Sequence, residues 1–182
     1  LVRLMAGIPT VVYGLTSMFL LVPLVRDAFH GSGFCWLSAM LTLAVLILPT
    51  IVLLLDSQMR LMRERIALTA TAIGLTPAQQ LTHLTLPLSR NGLIMAATLG
   101  FGRAIGDTLV PLMLAGNAAQ IPGSPFDSLR TLTAHIALVV STDSQSVIYD
   151  SLFLSGLILF LISVLVNLAL RRLRSTSHAL AR

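Results

Sequence analysis

The chain has 182 residues, of which 55% are hydrophobic and only 10% charged, with a mean hydropathy of +0.90. That balance excludes an ordinary soluble domain as the whole fold. The formal charge of +5 does not point to nucleic acid, because the arginines sit beside apolar runs and no basic surface interleaved with aromatics exists.

Leu1 stands where a start Met would, and Arg3 is followed at once by a full-length apolar run instead of the short core and cleavage site of a signal peptide. The N-terminus is therefore expected to be incomplete. Residues 4–25 lie uncharged between Arg3 and Arg26, and 28–55 between Asp27 and Asp56. A spanning helix needs about 20 apolar residues to cross about 30 Å of hydrocarbon, so each run predicts a span. The turn between them, 27–33, is Gly-rich and contains His30-Gly31-Ser32-Gly33, which lacks the spacing of a nucleophile elbow. Cys35 has no partner for an internal disulfide and reads as a small hydrophobe.

In the next segment, 56–90, Met62, Ile66, Ala70 and Ile73 recur at helical spacing, with Arg60 and Glu64 four apart on another face. Gly74 follows where a helix C-cap needs a left-handed residue. Thr76 and Pro77 then suit the N-cap and first position of a second helix, which runs toward Leu84 until Pro87 ends it or opens the next span. Two short helices with apolar faces on the wet side of a membrane need a cover, either the protein's own spans or a partner. His83 has no second ligand at metal spacing.

Residues 91–115 predict a further span that carries Arg103 and Asp107. On a continuous helix these two share a face and are close enough to pair. Unpaired charge is costly inside a bilayer, so both must face protein or water. The pair either fixes helix packing, or Arg103 offers forked donors along an oxyanion's path while Asp107 orients it and keeps binding weak. Gly102 and Gly106, also four apart, are expected to let another helix approach closely. The glycines from Gly100 to Gly106 are one residue off a nucleotide-binding spacing, and no strand precedes them.

The connection 116–150 contains Pro122, Pro125 and the polar run Ser141 to Ser146. Within it 131–140 is apolar but too short to span, which predicts an interfacial or re-entrant helix. His135 again lacks a second ligand. Thr108 and Asn117 could contact a substrate, or Asn117 could cap a helix. The last span, 151–170, lies between Asp150 and Arg171.

The apolar runs are continuous, without the alternation of barrel strands, so the fold class is all-α and membrane-embedded. With four spans, one side carries Arg3, Arg60, Arg63, Arg65, Arg90, Arg171, Arg172, Arg174 and Arg182, and the other only Arg26 and Arg130. The positive-inside rule puts both ends and 56–90 in the cytoplasm.

Two motifs resemble a known family. Gly74, nine residues, then Leu84-Thr85-Leu86-Pro87 resembles the end of the cytoplasmic coupling loop of ABC importer permeases, whose signature is Glu-Ala-Ala, three residues, Gly, nine residues, Ile-x-Leu-Pro. Of its opening only Ala70 is kept, with Leu68 and Thr69 in place of Glu and Ala. Gly102-Arg103-Ala104-Ile105-Gly106-Asp107-Thr108, continuing to Ala115-Gly116-Asn117, is similar to phosphate-specific ABC permeases, where Glu usually stands at the Asp107 position. Arg130 to Ala134, Gly156 to Phe160, Asn167 to Arg172 and the opening Ala6-Gly7-Ile8-Pro9 extend the likeness over nearly the whole chain.

The resemblance implies one partial type I, MetI-like permease domain over 1–182, with four of about six spans, coupling helices in 56–90 and a periplasmic connection in 116–150. It implies a pore-forming subunit of the bacterial inner membrane rather than an enzyme, working with a second permease subunit, two ATPase subunits and a periplasmic phosphate-binding protein. ATP and Mg would belong to the ATPase, and no cofactor or metal to this chain. Ala70, Gly74, Leu84, Leu86 and Pro87 would couple to the ATPase, and Arg103, Asp107 and Thr108 would line the substrate path. Permeases for sulfate, molybdate or other solutes share the coupling loop. An intramembrane enzyme would need a buried nucleophile with a base or paired metal ligands, which the sequence does not show. A non-transporting scaffold would have no reason to place Arg103 and Asp107 in a span.

Overall fold

A computed structural model describes residues 2–140 and 147–179, the side chains of 147, 148 and 170–179 excepted. The run Ser141 to Ser146, Arg182 and the side chains of Arg171, Arg172 and Arg174 lie outside the described residues. Everything regular within them is helical, apart from an isolated bridge between Gly116 and Leu129.

A short helix, α1 (Val2–Ala6), precedes Pro9, whose extended backbone introduces α2 (Thr10–Phe29). The first span thus begins at Thr10 and not at 4. His30 closes it in the left-handed region, its N–H bonded to Arg26 O. Next comes α3 (Trp36–Ala72). Its first N–H groups are taken by carbonyls of the distant 116–131 connection, Trp36 N by Asp127 O at 3.0 Å and Leu37 N by Pro125 O at 2.9 Å. The helix does not stop where the apolar run ends at 55. Arg60, Met62, Arg63, Glu64 and Arg65 are good helix formers, so the chain leaves the apolar zone still helical, and the expected separate helix over 60–73 is the last part of α3.

A tight turn leads into α4 (Pro77–Gln79), a π-helical stretch Gln80–Thr85, and α5 (Leu86–Leu88). The chain then returns through α6 (Arg90–Gly106) and α7 (Leu109–Leu114). The short apolar segment of the connection forms α8 (Leu132–Val140), which packs on the long α9 (Val147–Ala179), where His135 Nε2 and Ser151 Oγ lie 2.8 Å apart.

Three of the described helices are long and apolar enough to cross a membrane, within Thr10–Phe29, Trp36–Ala72 and Tyr149–Ala169. The expected fourth span is divided between α6 and α7. α6 packs between α3 and α9, and α7 on α2. The buried cluster is small, formed by Val22, Ala39, Leu46, Ile47, Val110, Leu114 and Ala115, while Phe19, Phe153 and Leu165 project outward. Such an inside-out distribution suits a lipid solvent, where association depends on close packing more than on the hydrophobic effect. Glycines supply that closeness. A Cβ on Gly100 would lie 2.6 Å from Ile51 Cδ1, and one on Gly92 2.8 Å from Gln58 Cβ.

Candidate functional site

Pro111 shapes the fourth span. It has no N–H to give, and its ring crowds the carbonyl four residues earlier, that of Asp107. The helix accordingly ends at Gly106, Asp107 turns extended (φ −76, ψ 126), and α7 restarts at Leu109. The freed Asp107 carbonyl accepts a hydrogen bond from Thr133 Oγ1 at 3.1 Å, and Asp107 Oδ2 accepts one from Val110 N at 3.3 Å. Both ends of the residue are thus engaged in the break.

The expected Arg103–Asp107 pair does not close to ion-pair distance, because the helix ends before 107, and the two charges interact only at longer range. Arg103 is exposed and makes no hydrogen bond or close ion pair among the described residues, though the Asp107 carboxylate remains within electrostatic reach of it. Thr108 is half-buried, its carbonyl accepting from Leu112 N at 3.1 Å. Asn117 caps α7. It sits at φ 56, its Nδ2 donates to Leu112 O at 2.6 Å, and its carbonyl accepts from Arg130 Nε at 2.8 Å.

At the arginine-rich end the local chemistry follows the residues closely. Gly74 has φ +71, with Gly74 N bonded to Thr71 O and Leu75 N to Ala70 O, the paired bonds of a Schellman cap. Thr76 and Gln79 form a reciprocal capping box, and Pro77 opens the helix. The widened π turn immediately precedes Pro87 and lets Leu86 N reach back to Leu81 O. Pro87 thus neither ends the helix nor opens the span, since the turn at Ser89 does that.

Among the expected coupling residues, Ala70 is completely buried and presents no surface to a partner, while Leu84 is half-buried and presents part of one. Gly74, Leu86 and Pro87 are exposed. So are Leu68 at 85% and Ile73 at 65%, which the spacing of the motif alone did not single out.

Gly102 and Gly106 do not bring another helix of this chain close, since a Cβ on either would meet nothing within 4 Å. They line a space of about 170 Å3 between α6 and α9, facing Leu159, Ser163, Val166 and Asn167. Close packing falls to Gly92 and Gly100 instead.

The profile of the family described as binding-protein-dependent transport system inner membrane component matches residues 1–176. The chain belongs to this family. A probable ABC transporter permease protein, YqgH, of Bacillus subtilis is 35% identical over 176 residues, 96% of this chain and 57% of its own length. The phosphate transport system permease protein PstC of Mesorhizobium japonicum is 30% identical over 185 residues, covering 91% and 57%. A probable phosphate transport system permease protein PstC of Methanocaldococcus jannaschii is 27% identical, covering 91% and 58%. The chain thus spans under two thirds of the length of these relatives. No solved structure matches it. In this inner membrane component, the helix break and the turn at the arginine-rich end stand at opposite ends of α6, whose 17 residues measure about 25 Å at 1.5 Å per residue.

Proposed function

We propose that this chain is the pore-forming part of an ATP-driven importer and that its cargo is inorganic phosphate. The observation that carries the reading is the exposed guanidinium of Arg103, which makes no hydrogen bond or close ion pair among the described residues and lies beside the helix break at Asp107. An arginine at mid-membrane costs about 2.5–3.5 kcal/mol on insertion scales, so one with no close partner on its own chain faces water or another protein. A fixed, forked cation beside a water-filled path suits a tetrahedral oxyanion. The phosphate permeases among the relatives support that substrate.

In this reading both chain ends and 56–90 face the cytoplasm of a bacterial inner membrane, following the arginine asymmetry. ATP and Mg sit on two separate ATPase subunits, which press on the exposed turn around Gly74. α6 transmits that movement to the break at Asp107. A second, different permease subunit covers the Arg103 face, and a periplasmic phosphate-binding protein delivers the cargo.

The test is uptake of labelled phosphate, with sulfate as control, by cells expressing the full-length protein with its partners. Arg103→Ala and Arg103→Lys, each checked for membrane insertion, are expected to lower phosphate uptake about tenfold or more, the scale of one lost charge-assisted hydrogen bond. Normal uptake in both variants removes Arg103 from the path. Transport of sulfate or molybdate instead keeps the permease and replaces the cargo, and no transport at all leaves a scaffold.

A further inference from the structure

We propose that Arg130 is a second phosphate-contacting residue, an outer cation that receives the oxyanion and passes it inward to Arg103. The inference rests on the phosphate permease reading above and adds to it a step at the outer mouth of the path.

Arg130 is held in place from several directions. Its Nε donates to Asn117 O at 2.8 Å, just past the end of α7. One residue before it, Leu129 N donates to Ala115 O at 2.9 Å, and three residues after it, Thr133 Oγ1 donates to Asp107 O at the helix break. The turn that leads to it is pinned to the start of α3, where Trp36 N donates to Asp127 O and Leu37 N to Pro125 O, while Ser128 Oγ donates to Phe34 O. Arg130 therefore stands beside α7, between the level of Asn117 and that of Asp107, an interval of about 9 Å for a helix of six residues. Arg103, in the last turn of α6, comes next on the way inward.

The fold has no use for the charge of Arg130. A neutral amide would serve Asn117 O as well, and half-burying a guanidinium without a carboxylate costs desolvation. Arg130 makes no ion pair among the described residues, and its two terminal amino groups make no hydrogen bond among them. Asp127, the nearest acid in the sequence, is engaged in its own turn, where Oδ2 accepts from Gly123 N at 2.9 Å and Ser124 N at 2.8 Å. On the topology above, the outer side carries Arg26 and Arg130 against Asp27, Asp127, Asp143 and Asp150. Such a surface repels an anion, so phosphate needs a local cation where it enters. Arg26 donates through Nε to Ser32 O in the loop between α2 and α3, which leaves Arg130 as the arginine of that side beside the break. A guanidinium fixed through Nε presents its two amino groups side by side, a match for two oxygens of an oxyanion.

The experiment uses the full-length protein in proteoliposomes with its partner permease, ATPase and phosphate-loaded binding protein, and reads labelled phosphate delivered per ATP hydrolysed. Arg130→Gln keeps a donor for Asn117 O and removes the charge. It is expected to lower phosphate per ATP about tenfold or more, while the loaded binding protein still stimulates ATP hydrolysis. Arg130→Cys is expected to lose delivery as well, and its thiol allows the charge to be restored. Within residues 1–182 the native thiol is Cys35, 1% exposed, so the added one reacts first. Aminoethyl methanethiosulfonate, which attaches an ammonium, is expected to restore delivery in part, because it returns the charge without the fork. Sulfonatoethyl methanethiosulfonate, which attaches an anion, is expected to restore none, with both read against equally treated wild type.

Normal delivery per ATP by Arg130→Gln overturns the proposal, because the hydrogen bond to Asn117 then accounts for the residue. Equal restoration by the anionic reagent overturns it too, since bulk and not charge would matter. Loss of ATP hydrolysis together with delivery in Arg130→Gln, at a lower Tm, assigns Arg130 to folding alone. If the wild-type assembly delivers no phosphate, the phosphate reading falls first and this step with it, whereas normal delivery by wild type and Arg130→Gln alike keeps that reading and removes only Arg130.

Discussion

The hydroxyl of Thr133 donates to the backbone carbonyl of Asp107 at 3.1 Å, in the place an N–H four residues on would occupy had that residue not been Pro111. This bond ties the first turn of α8 to the break in the fourth span. Replacing Thr133 by Val leaves a half-buried carbonyl unmet and is expected to destabilise the protein by about 1–3 kcal/mol, read as a lower Tm in detergent. Thr133→Ser keeps the hydroxyl and should keep the Tm. Because Pro111→Ala restores the missing N–H, the double variant Pro111→Ala with Thr133→Val should lose less than the single Thr133→Val. Additive losses would show that the two residues do not share the carbonyl.

Asp107 makes a second, separable prediction. Its Oδ2 accepts from Val110 N at 3.3 Å, a role that needs an oxygen but no charge. Asp107→Asn therefore retains the cap, whereas Asp107→Ala is expected to cost about 0.5–2 kcal/mol. Thermal melts of the three proteins check this, and an Asn variant as unstable as the Ala variant would contradict the capping role.

The contrast between the two ends of α6 shows what the amino-acid sequence reveals and what it hides. Gly74, Thr76 and Pro77 act through bonds to residues a few positions away, so their roles could be read directly, and the structure keeps them. The long apolar runs were equally legible, but the end of α3 was not, because Asp56 and Arg60 mark the edge of the apolar zone and not of the helix. The break at Asp107 was written at Pro111. Counting apolar residues through 91–115 outweighed that proline and produced an ion pair that only a continuous helix could make. The hydroxyl that meets the carbonyl freed by the break, Thr133, is 26 residues away from Asp107, beyond the reach of any local rule.

Glycines on α6 test the packing side of the same lesson. A Cβ at Gly100 would sit 2.6 Å from Ile51 Cδ1 and 3.2 Å from Ile47 Cγ2, so Gly100→Val is expected to push α3 and α6 apart at a cost of about 1–3 kcal/mol. Gly102→Ala meets nothing within 4 Å and replaces a poor helix former, so it should hold or raise the Tm, by up to about 1 kcal/mol of stability. If Gly102→Ala leaves the isolated chain intact yet prevents assembly with a second permease, the glycine serves that contact. Equal destabilisation by both substitutions would contradict the packing described.

The exposed turn separates backbone from surface effects. Gly74 holds φ +71 with open space around it, so Gly74→Val is strained through its backbone alone, at about 1–2 kcal/mol, while Gly74→Asn should be milder. Leu68→Asp and Ile73→Asp differ in kind, since side chains 85% and 65% exposed contribute little to the fold. These two should leave the Tm of the isolated protein unchanged and lower the amount of ATPase that co-purifies with it. Loss of the ATPase at unchanged Tm assigns Leu68 and Ile73 to docking. Loss of both together would mean that the apolar residues of the turn stabilise the protein itself, and retention of both would move the contact elsewhere on the arginine-rich end.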